Sequence, residues 1–228
     1  MNSLSLIQGI RFIDSFFPSG AYAYSSGLEA AVQGGAVRDA AEFQEYVEDS
    51  LRGGIGRREA VAMSLACEAV KKKNLEAALK ADAELDALKI GYESRLASRQ
   101  MGRQVMRIAT DRDQPHAMLQ AFHEKIIESR TAGHFPVCLG LTLAANGWPR
   151  TDAIAAFLYQ AAAGFVSAAM KLLPIGQRAG QRLLANWTPF FIELSHRIPI
   201  KADMSAWSPI QDIYAMRHSR LESRLFRS

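Results

Sequence analysis

Histidines, cysteines and one cluster of carboxylates are the side chains with the most chemistry to offer in this chain of 228 residues. His116 and His123 lie a heptad apart and can share a helix face, but no carboxylate or third ligand nearby in sequence completes a metal site. They read as solvated helix histidines. His134, His196 and His218 stand apart from one another. Cys67 and Cys138 are distant, and each sits in an apolar run, as buried free thiols do; that fits a reducing compartment. Asp82, Glu84 and Asp86 read as a solvated face. The chain has no phosphate loop of the Gly-x4-Gly-Lys type. Gly54-Ile55-Gly56 lacks the third glycine of a dinucleotide site. There is no Gly-x-Ser-x-Gly elbow, and no Cys-x-x-Cys or His-Glu-x-x-His pair for zinc. An active site would have to assemble from residues far apart in sequence.

Four other features carry potential for recognition. Arg95, Arg99, Arg103 and Arg107 repeat every fourth residue and so line one helix stripe. Neighbouring like charges at that spacing repel by roughly 0.2–0.5 kcal/mol per pair, so carboxylates, internal or on a partner, are needed to answer them. Gly102 lies amid the stripe and permits a close helix approach. The turn Asp14-Ser15-Phe16-Phe17-Pro18-Ser19-Gly20, followed by Tyr22 and Tyr24, offers aromatics that either anchor an interface or fold back on the core. At Lys171-Leu172-Leu173-Pro174-Ile175-Gly176-Gln177 a long helix breaks and restarts. This is either a capped joint, its lysine favoured by the helix dipole, or a rigid corner presenting Lys171 and Gln177 to another protein. Finally, Arg217 to Ser228 holds four arginines against Glu222, interleaved with Leu221, Leu225 and Phe226, the composition of a segment that orders on a partner.

These features must be positioned by helices. Apolar residues recur with helical periodicity from end to end, and no alternating run is flanked by hairpin turns. Helices are expected from about Leu4 to Asp14, near Leu28–Val32, and from Asp39, with Glu42 at capping-box spacing, to Gly53-Gly54. Further helices are expected over Arg57–Lys73, Leu75–Leu88 (capped by Asn74), Glu93–Ala109 and from Asp113-Pro115 through Ile126. The last ones cover Val137–Ala145, Asp152–Leu172, Gln177–Leu194 and, after an extended stretch from Pro199, Ser208-Pro209 to about Arg220. The fold class is therefore all-α: a single-domain bundle of about ten helices over 1–228, with 219–228 as a partner-binding tail. No linker divides the chain and no repeat recurs. The uncharged run Ala153–Met170 is long enough to span a membrane, but its alanines, Gln160 and Ser167 suit a helix buried on nearly all sides in a soluble protein. The amino-terminal residues do not resemble a secretory signal. A net charge of +4 is too small to imply nucleic acid by itself.

Taken in order, several stretches resemble the urease accessory protein UreF family. They are Asp14-Ser-Phe-Phe-Pro-Ser-Gly20, Ser26-Gly-Leu-Glu29, Ser98-Arg-Gln-Met-Gly-Arg103, His134-Phe-Pro136 with Gly140, the Lys171–Gln177 corner with Gln181, and His218 followed by Ser223-Arg-Leu-Phe-Arg-Ser228. The resemblance implies an all-α, cytoplasmic, non-catalytic protein that commonly forms a homodimer. Its partners would be UreD (UreH in some organisms), the GTPase UreG and apo-urease. It would bind no cofactor tightly, the complex handling nickel. It would have no nucleic-acid or membrane role. The resemblance also implies that His218, Arg220, Arg224, Leu225, Phe226 and Arg227 dock UreD. Lys171, Pro174, Gly176, Gln177, Arg99 and Arg103 would belong to an opposite surface that receives UreG or a second subunit. Many family members carry histidine where this chain has Tyr24, so no metal ligand is assigned. Two rival readings stand beside this one. One is a nucleic-acid binder using the arginine stripe, which would bind with steep salt dependence. The other is an enzyme whose site assembles from scattered His and Asp/Glu residues.

Overall fold

The computed structural model describes residues 1–200 and 202–227. Among these the regular structure is entirely helical. The helices are α1 (Ser3–Ile13), α2 (Leu28–Gln33), α3 (Ala40–Asp49), α4 (Ala60–Lys71), α5 (Leu75–Leu88), α6 (Tyr92–Thr110), α7 (Ala117–Ile127), α8 (Phe135–Ala145), α9 (Arg150–Leu172), α10 (Gln177–Arg197) and α11 (Pro209–Arg217). Local signals explain several of their ends. The Asp39 carboxylate accepts from the backbone N–H groups of Ala41 and Glu42, and Asn74 accepts from that of Ala77, which satisfies helix-start donors. Glu42 reaches back to the backbone N–H of Arg38, one residue before the cap, so only half of the expected capping box forms. Helix α7 begins later than Asp113-Pro115 suggested; His116 is its cap, with Nδ1 accepting from the N–H of Met118 at 3.2 Å.

The expected stop at Gly53-Gly54 does not occur. The chain runs on from α3 through a π-helical segment, Ser50–Glu59, into α4, so eleven α-helical segments make ten rods among the described residues. The glycines serve close approach instead. A Cβ on Gly53 would stand 2.2 Å from the Trp207 carbonyl oxygen, and one on Gly54 2.7 Å from Ser208 Oγ. The extended residues after α10 lie directly on the π segment and donate to it, Ser205 N–H to the Arg57 carbonyl at 3.1 Å and Trp207 N–H to that of Gly53 at 3.0 Å.

Helix α8 is the centre of the core. Every residue from Phe135 to Leu143 is buried, and it lies between α4 and α6. Glycines permit both contacts. A Cβ on Gly140 would come within 2.8 Å of the Met63 carbonyl, and one on Gly102 within 2.1 Å of that of Gly133. Cys67 and Cys138 are buried free thiols, as expected, and burial pushes the Cys67 thiol up to about 12. Helix α9 is the one helix among the described residues long and apolar enough to cross a membrane, and half of that stretch is buried within the chain. It packs on α10 and α4, but Tyr159 and Met170 remain exposed, so it is not enclosed on nearly all sides.

Candidate functional site

The carboxyl-terminal arm, from the extended residues 202–207 through α11 to Arg227, folds back on the body and is clasped by one carboxylate. Glu29 lies on α2 among Leu28, Ala30 and Ala31 and is fully buried. It accepts from the backbone N–H groups of Leu225 (2.6 Å) and Phe226 (3.1 Å), and faces His218 Nε2 at 2.8 Å. The other nitrogen of His218 faces Glu93 at 2.8 Å, and Glu93 also accepts from Arg224 at 3.0 Å. Arg227 N–H donates to the Ala23 carbonyl and Gln33 to that of Ser223, which closes the arm over α2. Approach is close because a Cβ on Gly27, at φ +85°, would meet the backbone of Ala215 at 2.8 Å.

The residues singled out in the sequence therefore divide. His218 and Phe226 are buried in the chain's own body, while Arg220, Arg224, Leu225 and Arg227 are exposed; Ser228 lies outside the described residues. At the corner, Leu173 and Ile175 are buried and hold Lys171, Pro174, Gly176 and Gln177 outward. Lys171 Nζ sits 5.2 Å from the centroid of the Phe226 ring, so corner and tail adjoin rather than occupying opposite surfaces. The aromatic turn divides between the core and solvent. Phe17 packs on Phe12 with ring centroids 5.2 Å apart, whereas Phe16 is 94% exposed. Tyr24 donates to Gln100 at 2.7 Å.

The acidic cluster is not a solvated face. Asp82 is fully buried and accepts from the Thr131 hydroxyl and the N–H groups of Gly133 and His134, each at 2.7 Å. It thereby fixes the loop that starts α8. Asp86 pairs with Arg99 and with His134 Nε2. Burial opposes its charge, but the Arg99 and His134 hydrogen bonds prevail and hold its carboxyl below the usual range. Burial pushes His134 down, Asp82 and Asp86 opposing, towards the neutral ring. The Asp86 carboxylate can only accept, so Nε2 of the neutral ring carries the proton, and Nδ1 accepts from the Ser98 hydroxyl, whose oxygen also accepts from Phe135 N–H. Only Glu84 behaves as expected, pairing loosely with Lys80 at the surface. Arg99 is thus answered internally; exposed Arg103 rests on the Ala132 carbonyl, and Arg107 on Gln104.

A third polar group lies under the arm. Glu59 accepts from Lys89 at 2.7 Å and contacts Arg58 at 3.3 Å, all three being buried, and Arg58 faces Asp212 of α11 at 3.9 Å. Burial opposes ionisation of Glu59, but Lys89 and Arg58 outweigh it and hold the carboxyl at about 2. The folded value lies below the ordinary 4.5. Its stabilisation is therefore complete above about pH 4.5 and is lost as the pH falls towards 2. Urea unfolding at pH 6, 4 and 3 is expected to show that decline, and Glu59→Gln is expected to flatten it.

Sequence reasoning overlooked Glu29, Glu59 and Glu93 as determinants of this site. For Glu29 a signal existed, a carboxylate within the apolar run Leu28-Glu29-Ala30-Ala31-Val32. Among the described residues no group of three histidine, cysteine or acidic side chains is placed to hold a metal ion.

A helical body carrying a clasped carboxyl-terminal arm, an exposed helix corner and an exposed aromatic turn defines an all-α protein whose distinctive features are surfaces. The chain belongs to the UreF family, whose model matches residues 37–188. It is 33% identical over 221 residues to the urease accessory protein UreF of Actinobacillus pleuropneumoniae serotype 5b (strain L20), covering 96% of this chain and 97% of that one. It is 32% identical over 222 residues to that of Haemophilus influenzae (strain PittGG), covering 96% and 94%. It is 31% identical over 226 residues to that of Bacillus sp. (strain TB-90), covering 98% and 99%.

Proposed function

We propose that this chain is a non-catalytic, cytoplasmic scaffold in urease maturation. As a homodimer it joins UreD (UreH) and the GTPase UreG to apo-urease, and nickel passes through the assembly as cargo rather than as a resident cofactor. Its relatives' names, urease accessory protein UreF, support this reading. One structural observation carries the interaction role. The arm presents Trp207, Ile210, Ile213 and Met216 to solvent at intervals of three, with Leu225 also exposed. Several large apolar side chains left uncovered on one short segment support an interaction surface there. This exposed apolar group, with exposed Arg220, Arg224 and Arg227, is assigned to UreD. The Lys171–Gln177 corner, with Arg103, is assigned to UreG, and binding there would favour the nickel-releasing state of UreG, which requires unequal affinity for its two states.

The test is urease activity and nickel per active site in cells carrying the cognate urease operon. Loss of the gene is expected to abolish both, and the gene in trans to restore them. Deleting 219–228 is expected to end capture of UreD. Trp207→Ala keeps the backbone bonds of that residue and is expected to weaken UreD capture about tenfold or more, as for an aromatic anchor. Lys171→Ala is expected to reduce UreG capture and activation. Full activity and nickel loading without the gene would overturn the assignment. Unchanged capture by the variants would overturn the corresponding surface.

A further inference from the structure

We propose that a cavity beneath the aromatic turn is a binding site for a small neutral molecule that joins an apolar ring to one hydrogen-bond donor. The cavity has a volume of about 160 Å³. It lies where the aromatic turn, the π segment, the first half of α6 and the start of α8 meet the middle of α9. A cavity of that size takes a benzene-sized molecule. Ile55, Met101, Phe135, Phe157 and Phe165 form its apolar wall. The three phenylalanines are more than nine-tenths buried, and the rings of Phe135 and Phe157 stand 6.3 Å apart at a tilt of 47°. Rings so arranged offer a third ring tilted and offset contacts, the favoured aromatic geometry. Exposed Ala21 and Ser26 also line the cavity, which opens it to solvent at the turn.

The polar part of the lining sets what the ring must carry. Gln160 of α9 lines the cavity, and its amide nitrogen donates to the carbonyls of Phe12 (3.4 Å) and Ile13 (3.1 Å) at the end of α1. Its other amide atom, Oε1, is buried and has no hydrogen-bond partner among the described residues. Three donors of the lining are engaged elsewhere: the Tyr24 hydroxyl with Gln100, the Ser98 hydroxyl with His134, and Lys89 Nζ with Glu59. A buried acceptor left unpaired is unfavourable, and a donor on the ligand removes that cost. The lining also selects against charge. Its two ionised side chains, Glu59 and Lys89, face each other at 2.7 Å, so neither is left to balance a charged ligand. An apolar wall with one convergent acceptor therefore fits a phenol or an aromatic amine of similar size.

The experiment titrates the full chain with phenol and, separately, with toluene, which has the same number of heavy atoms but no donor. Binding is followed by NMR. Phenol is expected to bind saturably with a Kd of about 1 mM or tighter, with Overhauser contacts to Phe135 and Phe157, and at least as tightly as toluene. Gln160→Leu is expected to weaken phenol about tenfold or more and to leave toluene within about threefold. Saturable binding of neither probe, the result for a cavity that takes up water only, would overturn the site, as would contacts confined to other side chains. Unchanged phenol affinity in the variant would overturn the role of Gln160. If that variant does not fold, the unaltered chain decides the matter: toluene bound about tenfold tighter than phenol would overturn the proposed ligand class.

Discussion

Replacing Glu29 with alanine is expected to lower stability by about 3–5 kcal/mol, the usual effect of removing one partner from a buried charged network. Two backbone N–H groups and His218 Nε2 lose their acceptor together, and none can turn to solvent while the arm stays docked. For a chain of this size the loss corresponds to a fall in Tm on the order of 10 °C. Glu29→Gln retains an acceptor oxygen and is expected to have a smaller effect. Thermal unfolding of the purified chain, followed by circular dichroism, measures both. A change below about 1 kcal/mol for alanine would mean that the tail is not held by this carboxylate.

Asp82→Ala is expected to be comparably damaging, about 3–5 kcal/mol. A buried donor left unpaired costs about 1–3 kcal/mol, and this substitution strands the Thr131 hydroxyl and the N–H groups of Gly133 and His134. Those residues carry the chain into α8, and Gly133 presents its carbonyl to Gly102, so the disturbance reaches the α6–α8 contact. Glu84→Ala, two residues away but at the surface, is expected to change stability by less than about 0.5 kcal/mol. Urea denaturation of the two variants separates them. Equal small effects would restore the reading of this cluster as a solvated face.

That contrast shows what the sequence could reveal. Helix starts set by a neighbouring side chain were legible, as at Asp39 and Asn74, because cap and capped amide lie two or three residues apart. Periodicity likewise placed α6, α9 and α10 to within a few residues. The errors share a cause. Gly53 and Gly54 looked like a helix end because a local rule was applied to residues whose partners, Trp207 and Ser208, come some 150 residues later. Asp82 and Asp86 looked solvated because their partners, 13 to 52 residues away, have no fixed spacing. The tail stood out in the sequence by its Arg, Leu and Phe content. Its seat on Glu29 was not legible, since that pairing spans 189 to 197 residues.

The same separation has a consequence during biosynthesis. Glu29 leaves the ribosome long before His218, Leu225 and Phe226, which follow 189 to 197 residues later. At about 5–20 residues per second, that delay is on the order of 10–40 s. A nascent chain that has already packed α2 against α9 thus carries a carboxylate whose partners do not yet exist. Either α2 stays loose until the arm arrives, or Glu29 waits hydrated in an open groove. In both cases the clasp is a late checkpoint, and a chain stalled within the arm would expose the groove to chaperones and proteases.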